Sequence, residues 1–350
     1  MASTTKPAWR ETVTPVAVEP LSTEADVFAR RDLLGLQGLS AGEIRSILKL
    51  AREMDFEEGA QRHARRLAGR TVATMFFEDS TRTRSSFIIA ARKLGADVLE
   101  LSGANSSVNK GETLVDSARA IEAMGVDAMV IRARQCGAAA MIAANVGVSV
   151  VNGGDGKHEH PTQGLLDMYT IAQAHNRLDS FDFTGMTVVI VGDLVSSRVA
   201  RSGIAGLTTL GARVICVGPV TMAPKSLTSL GCEVCHDLDS VLAAADAVMM
   251  LRIQFERHGA EGAEQKAQPE LKRTTAISSV REFREFYGLT RERAQRMKDG
   301  AVVLHPGPIN RGIELDSAVA EGPRSVITRQ VHQGVCVRMA ALAMCLAGRS

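Results

Sequence analysis

Short apolar, β-branched runs alternate with helix-patterned stretches along most of this chain, and that alternation admits few folds. Thr71 to Phe77 is an apolar run bounded by charge and reads as a buried strand. Ser80 opens a helix running to Leu94, closed by Gly95, and Ala96 to Leu101 reads as the next strand. The pattern recurs with a strand at Val126–Ile131, a helix at Gly137–Asn145 and a strand at Val148–Val151, then a Gly-rich loop and a helix from Pro161 to Ala174. A polar, turn-rich stretch, HNRLDSFDF, separates this series from a second one that begins at Met186. There the strands are TVVIVG, RVICVG, CEV, AVMML and AVVLH, with helices at Val199–Leu210, near Leu227, near Val241 and over Gly334–Leu346. Alternation of β and α in both halves predicts the α/β class, with two doubly wound, mostly parallel sheets in two domains joined by interdomain helices. Upstream, Ser40 and Glu43 form a capping-box pattern ahead of a helix carrying Ile44, Ile47, Leu48 and Ala51 on one face.

Composition narrows the function classes. A net charge of +2 over 350 residues is no polyanion-binding footprint, and 4% aromatic residues leave little to stack on bases, so no nucleic-acid partner is expected. No apolar run reaches the about 18 residues of a membrane helix, so no membrane partner is expected either. Residues 1–30 lack a signal-peptide core and carry Glu11, Glu19, Glu24 and Asp26, which predicts a disordered tail. The charged stretch 259–273 reads as a mobile surface loop. Six scattered cysteines suit a reducing, cytoplasmic setting. Cys232-Glu-Val-Cys235-His236 matches a haem-attachment pattern, but no export signal accompanies it and no second ligand pair completes a zinc site. The plainer reading is a short strand with small, partly buried thiols.

Open α/β sheets bind ligands beyond the carboxyl ends of their strands. Five such ends carry cationic or hydrogen-bonding groups: Ser80-Thr81-Arg82-Thr83-Arg84, Arg132, the loop holding His160, Arg252 with Gln254, and His305-Pro306-Gly307-Pro308. Ser80 to Arg84 combines a helix N-terminus, three hydroxyls and a guanidinium fork, which makes a phosphate cradle; the competing reading is an N-cap followed by surface arginines. Pro161 suits a first helical turn, placing His160 near the N-cap and Gln163 within the turn, where both reach a bound carbonyl unless His160 is a plain cap. Arg198 stands at a helix start after VGDLVSS, a segment without the glycine pattern of a dinucleotide fingerprint, so no nicotinamide cofactor is inferred.

Together these motifs are specific. Ser80-Thr-Arg-Thr-Arg84, Lys110-Gly-Glu-Thr113, His160-Pro-Thr-Gln163, Leu251-Arg-Ile-Gln254 and His305-Pro-Gly-Pro308 stand in the order found in the catalytic chains of aspartate carbamoyltransferases, which the chain resembles from about Asp32 to its C-terminus. L-R-x-Q and H-P-x-P set that group apart from the ornithine enzymes, whose S-M-G and H-C-L-P segments do not occur here. The resemblance implies transfer of the carbamoyl group of carbamoyl phosphate to L-aspartate, an early step of pyrimidine biosynthesis, without cofactor or metal. It implies a carbamoyl-phosphate domain over 31–163, an aspartate domain over 164–330 and a C-terminal helix, 331–350, packed back on the first. Ser80, Thr81, Arg82, Thr83 and Arg132 would hold the phosphate. Thr83, Arg132 and His160 would face the carbonyl oxygen, Gln163 the carbamoyl amide, and the carbonyls of Gly307 and Pro308 the carbamoyl NH2 or incoming amine. Arg198 and Arg252, with Gln254, would clamp aspartate. Ser106 and Lys110 would reach a neighbouring subunit's site in a homotrimer, to which a regulatory chain or dihydroorotase can be added. Catalytic roles would fall to Arg82, Thr83, Lys110, Arg132 and His160. Some relatives have a lysine pair where this chain has Asn109-Lys110, which leaves one cation fewer, and some have Leu at Gly307, a change expected to matter little.

Overall fold

A computed structural model describes residues 28–55, 57–102, 112–253 and 279–347. The predicted disordered tail, apart from residues 28–30, and the predicted loop at 259–273 lie outside the described residues. The described chain begins with α1 (Ala41–Asp55) and α2 (Glu57–His63), followed by β1 (Thr71–Phe76), α3 (Thr81–Lys93), β2 (Asp97–Ser102), α4 (Leu114–Ala123), β3 (Ala128–Ala133), α5 (Ala138–Ala143), β4 (Ser149–Asp155) and α6 (Pro161–Ala174). The second series runs through β5 (Thr187–Val191), α7 (Arg198–Thr209), β6 (Arg213–Val217), β7 (Glu233–Cys235), β8 (Ala247–Met250), α8 (Val280–Tyr287), α9 (Arg291–Gln295), β9 (Val302–Leu304), α10 (Ser317–Ala320) and α11 (Ile327–Ala347). Both sheets are parallel throughout, in the orders β2-β1-β3-β4 and β7-β6-β5-β8-β9. The expected fold class is the one observed.

Strand order decides where a ligand can sit. The first sheet grows from β1 to β2 on one side and then resumes at β3 on the other, so its switch point lies between β1 and β3. The second sheet does the same between β5 and β8. At a switch point the flanking loops diverge to opposite faces and open a crevice at the strands' carboxyl ends. Glu78 and Ser80 follow β1, Arg132 ends β3, Arg198 follows β5 and Arg252 follows β8.

Local chemistry explains most boundaries. The Ser40 hydroxyl accepts from the Glu43 backbone N–H at 3.1 Å and Glu43 accepts from the Ser40 N–H at 2.8 Å, the predicted capping box. The expected helices near Leu227 and Val241 are instead short 3-10 turns, Lys225–Leu230 and Leu242–Ala244, the first confined between Pro224 and a left-handed Gly231. The strand at 233–235 forms as read, with Cys232 buried and its thiol donating to the Leu227 carbonyl at 3.2 Å. Helices α4 and α8 were not anticipated, although Thr113 and Ser279 cap them by accepting from the N–H groups of Asp116 and Glu282. The last helix begins at Ile327, ahead of the expected Gly334, and packs on α1, α3 and α6. It is buried on nearly all sides from Cys336 to Leu346, so that stretch shows no strong polar face by which the helix could be traced back to its start. Helix α6 passes through residue 163, where the sequence reading divided the domains, without a break. One apolar core joins α1, α6, α7 and α11 to strands of both sheets, which holds the two switch points in a common frame. Among the described residues no helix is long and apolar enough to cross a membrane.

Candidate active site

Two buried guanidinium groups from different sheets meet on one carboxylate. Glu78, two residues past β1, accepts from both ends of Arg198 at 2.8 and 3.0 Å and from Arg132 at 3.4 Å. Arg132 and Arg198 are only 8% and 6% exposed. They can approach because the end of β4 is glycine: a Cβ at Gly154, whose φ is +115°, would stand 3.0 Å from Arg198 and 3.3 Å from Arg132. The Gly153 and Gly156 carbonyls accept from Arg132 and Arg198 at 3.3 and 3.2 Å.

His160 is the N-cap of α6, with Pro161 in the first turn as expected, yet its side chain makes no capping hydrogen bond. It is 3% exposed, and neither ring nitrogen has a hydrogen-bond partner among the described residues. Its position is held from the backbone, whose N–H donates to the Ser202 hydroxyl at 2.9 Å, while that hydroxyl donates to buried Glu159 at 2.7 Å. Burial, reinforced by the charges of Arg132, Arg338 and Arg198, holds the imidazole well below its ordinary range, so it is neutral and carries one N–H. Buried polar atoms without partners mark a place where a bound group completes the set.

The Ser80–Arg84 segment lies at the start of α3, whose first turn contains no acidic residue. Ser80 is the N-cap, but its hydroxyl caps no backbone N–H. Free N–H groups at a helix N-terminus with hydroxyls beside them are the elements of an anion site. Arg82 lies close to Arg252, and both burial and that neighbouring charge lower its pKa. Arg82 also lies directly against Gly307, where φ is +64°; any side chain at 307 would overlap the Arg82 guanidinium. The expectation that Gly rather than Leu at 307 matters little concerned the backbone carbonyl; the contact adds that a side chain here would have to displace the Arg82 guanidinium. The Gly307–Pro308 bond is cis. The loop is held by His305, 2% exposed, whose Nδ1 accepts from the Gly307 N–H at 2.7 Å and whose Nε2 faces Glu314 at 3.2 Å.

The structure thus brings Arg132, His160 and Arg198 together, and sets Arg82 beside Arg252 and Gly307. Gln163 is 8% exposed, with its NH2 committed to Asp167. Ser106, Lys110 and Gln254 lie outside the described residues. Residues that sequence reasoning missed are Glu78, Asp167, Gln330 and Arg338. Three of them left a signal: Glu78 is an acid at a strand end otherwise rich in cations, Asp167 is the one charge of its helix, and Arg338 interrupts an apolar helical stretch; Gln330 left none. Arg338 is fully buried, donates to the Gly334 carbonyl at 2.9 Å and lies over the Phe87 ring at 5.1 Å; burial, with Arg132 nearby, pushes its pKa down to about 9.

Two parallel sheets with cations gathered at their switch points define a two-domain α/β protein built to hold small anions. Comparison with known proteins sharpens this class. Residues 31–173 match the carbamoyl-phosphate-binding domain, and residues 184–345 the Asp/Orn-binding domain, of aspartate/ornithine carbamoyltransferases. The chain belongs to that family. Aspartate carbamoyltransferase catalytic subunits of Halothermothrix orenii and Myxococcus xanthus are 48% and 50% identical to it, each over 91% of this chain and over 96% and 100% of their own lengths. An aspartate transcarbamoylase from Trypanosoma cruzi, crystallised with carbamoyl phosphate and aspartate, is similar with a TM-score of 0.76 at 28% identity, over 89% of this chain and 96% of that one. The ornithine carbamoyltransferase of Pyrococcus furiosus is similar to the same degree, 0.76 at 28% identity, over 92% of this chain and 99% of that one.

Proposed function

We propose that this chain transfers the carbamoyl group of carbamoyl phosphate to the amino group of L-aspartate, giving N-carbamoyl-L-aspartate and phosphate, the early step of pyrimidine biosynthesis, in the cytoplasm. The observation that carries the reading is His160: a buried, neutral imidazole whose ring nitrogens have no partner among the described residues, under the charges of Arg132, Arg338 and Arg198. Ser80, Thr81, Arg82, Thr83 and Arg132 bind the phosphate at the α3 N-terminus. Attack by the neutral amine places negative charge on the carbonyl oxygen, and Thr83, Arg132 and the His160 N–H are the donors that meet it. Removal of one such preorganised donor costs about 2.7–4 kcal/mol of transition-state stabilisation in other enzymes. Gln163 and the carbonyls of Gly307 and Pro308 accept from the carbamoyl NH2 and the incoming amine. The leaving phosphate takes the amine proton, so no separate strong base is required.

Arg198 and Arg252, with Gln254, clamp the aspartate carboxylates, and Lys110 contributes across a subunit boundary in a homotrimer. A regulatory chain or dihydroorotase is a further partner open to that trimer. Residues 31–163 serve the donor and 164–330 the acceptor, with the C-terminal helix, 331–350, returning to the first. Arg252 beside Arg82 favours a dianionic acceptor over ornithine, whose side chain is a cation. The test is steady-state turnover of carbamoyl phosphate with L-aspartate and with L-ornithine. Phosphate release and carbamoyl-aspartate formation with aspartate alone are expected; turnover with ornithine alone would transfer the assignment to the sister activity, and turnover with neither would remove it.

A further inference from the structure

A single buried carboxylate accepts hydrogen bonds from amides of two different helices, α6 and α11. Asp167 stands one helical turn after Gln163 on α6, is 0% exposed, and receives the Gln163 NH2 on Oδ1 at 2.9 Å. The same oxygen receives the NH2 of Gln330, from α11, at 2.7 Å. Gln330 in turn accepts the His305 backbone N–H on its Oε1 at 2.9 Å, and the His305 ring accepts the Gly307 N–H. An amide side chain fits equally well in either of two orientations, with donor and acceptor exchanged, and only its partners choose between them. Both amides meet the same oxygen, Oδ1, which accepts whether or not Oδ2 carries a proton, so it draws the NH2 end of both. The Gln163 oxygen is then the group left for the cleft, and the Gln330 oxygen is the one left for the His305–Pro308 loop.

We propose that Asp167 is a positioning residue that sets the donor–acceptor polarity of the carbamoyl pocket, making it an acceptor wall that selects NH2 over a group that cannot donate. The inference rests on the proposed carbamoyl transfer. It explains why an acid is placed where burial pushes its carboxyl up to about 7 against the pull of two amides and Arg338, and where its Oδ2 has no hydrogen-bond partner among the described residues. Placing a carboxylate there is unfavourable by itself; a neutral apolar residue would pack without that penalty but would leave the Gln163 amide free to turn over and Gln330 held by the His305 N–H alone.

Acetyl phosphate carries a methyl group where carbamoyl phosphate carries NH2, so it probes the wall directly. The measurement is the ratio of the inhibition constant of acetyl phosphate to KM for carbamoyl phosphate in the intact protein. Asp167→Leu, of similar size and unable to accept, is expected to lower that ratio about tenfold, mainly by raising KM for carbamoyl phosphate. Asp167→Asn, which keeps one accepting oxygen, is expected to hold it within about threefold. In a Gln163→Met background the further effect of Asp167→Leu on the ratio should largely vanish. A ratio unchanged in Asp167→Leu while kcat or thermal stability falls would reduce Asp167 to a packing role and overturn the proposal. So would an equal effect in the Gln163→Met background. Should Asp167→Leu not fold, Asp167→Ala, whose cavity admits water to both amides, carries the same comparison. Wild-type protein that turns over no carbamoyl phosphate would defeat the proposed function instead, so the two failures are distinct.

Discussion

Arg82 and Gly307 are one feature at the scale of single residues. Gly307→Leu must push Arg82 aside or strain a left-handed backbone, and the side chain is the softer of the two. Loss of a charge-assisted hydrogen bond is worth about 1.5–3 kcal/mol, so KM for carbamoyl phosphate should rise at least about tenfold. An unchanged KM would show that Arg82 works from another position. Arg82→Ala should lower kcat by about 100-fold or more with the thermal transition retained. For His160 the sign follows from its depressed pKa. Whatever stability the neutral buried ring contributes is full above the ordinary histidine value of 6.5 and is lost as pH falls through the folded-state value, because only the unfolded chain takes up the proton there. The Tm of the wild type should therefore decline relative to His160→Gln between pH 7 and 5. Parallel Tm curves for the two proteins would mean that the ring is not kept neutral.

Two serines at helix starts separate stability from function at the scale of elements. Ser40 closes a capping box on α1, whereas the Ser80 hydroxyl does no capping on α3. Ser40→Ala should cost about 1 kcal/mol in a denaturant titration and leave KM alone. Ser80→Ala should change stability by less than about 0.5 kcal/mol and raise KM for carbamoyl phosphate. The reverse pattern would make Ser80 the structural cap and weaken the phosphate cradle. Strands and capped helices of this kind were legible in the chain itself, because a period of two or of 3.6 and a capping residue are local properties. The 3-10 turns after β6 and β7 were not, since six residues and three residues hold too little periodicity to separate them from short helices.

At the scale of the whole molecule the site depends on two sheets presenting their switch points to one another. The Glu78 pairings with Arg132 and Arg198 are one direct bridge between the two halves, and Ser202 with His160 and Glu159 is another. The homotrimer with shared sites proposed above makes a separate prediction. Trimers of Lys110→Ala and of Arg82→Ala, each inactive, should regain partial activity when mixed under conditions of subunit exchange, because hybrids contain sites free of both lesions. Exchange demonstrated by mass with no recovered activity would remove Lys110 from the neighbouring site.

Much of the candidate site could be read before any fold was known. Ser80, Arg82, Arg132, His160, Arg198 and Arg252 were picked out as polar groups at strand ends or helix starts, and the order of their motifs pointed to a family. Contacts between residues far apart in the chain could not be read in that way. That Glu78 holds Arg198, that Gly307 yields its space to Arg82, and that Asp167 receives one amide from its own helix and another 163 positions away are facts of packing. The physical reason is range: strand and helix patterns come from neighbours along the chain, whereas a buried charge and the orientation of an amide are decided by whatever the folded core brings within hydrogen-bonding distance.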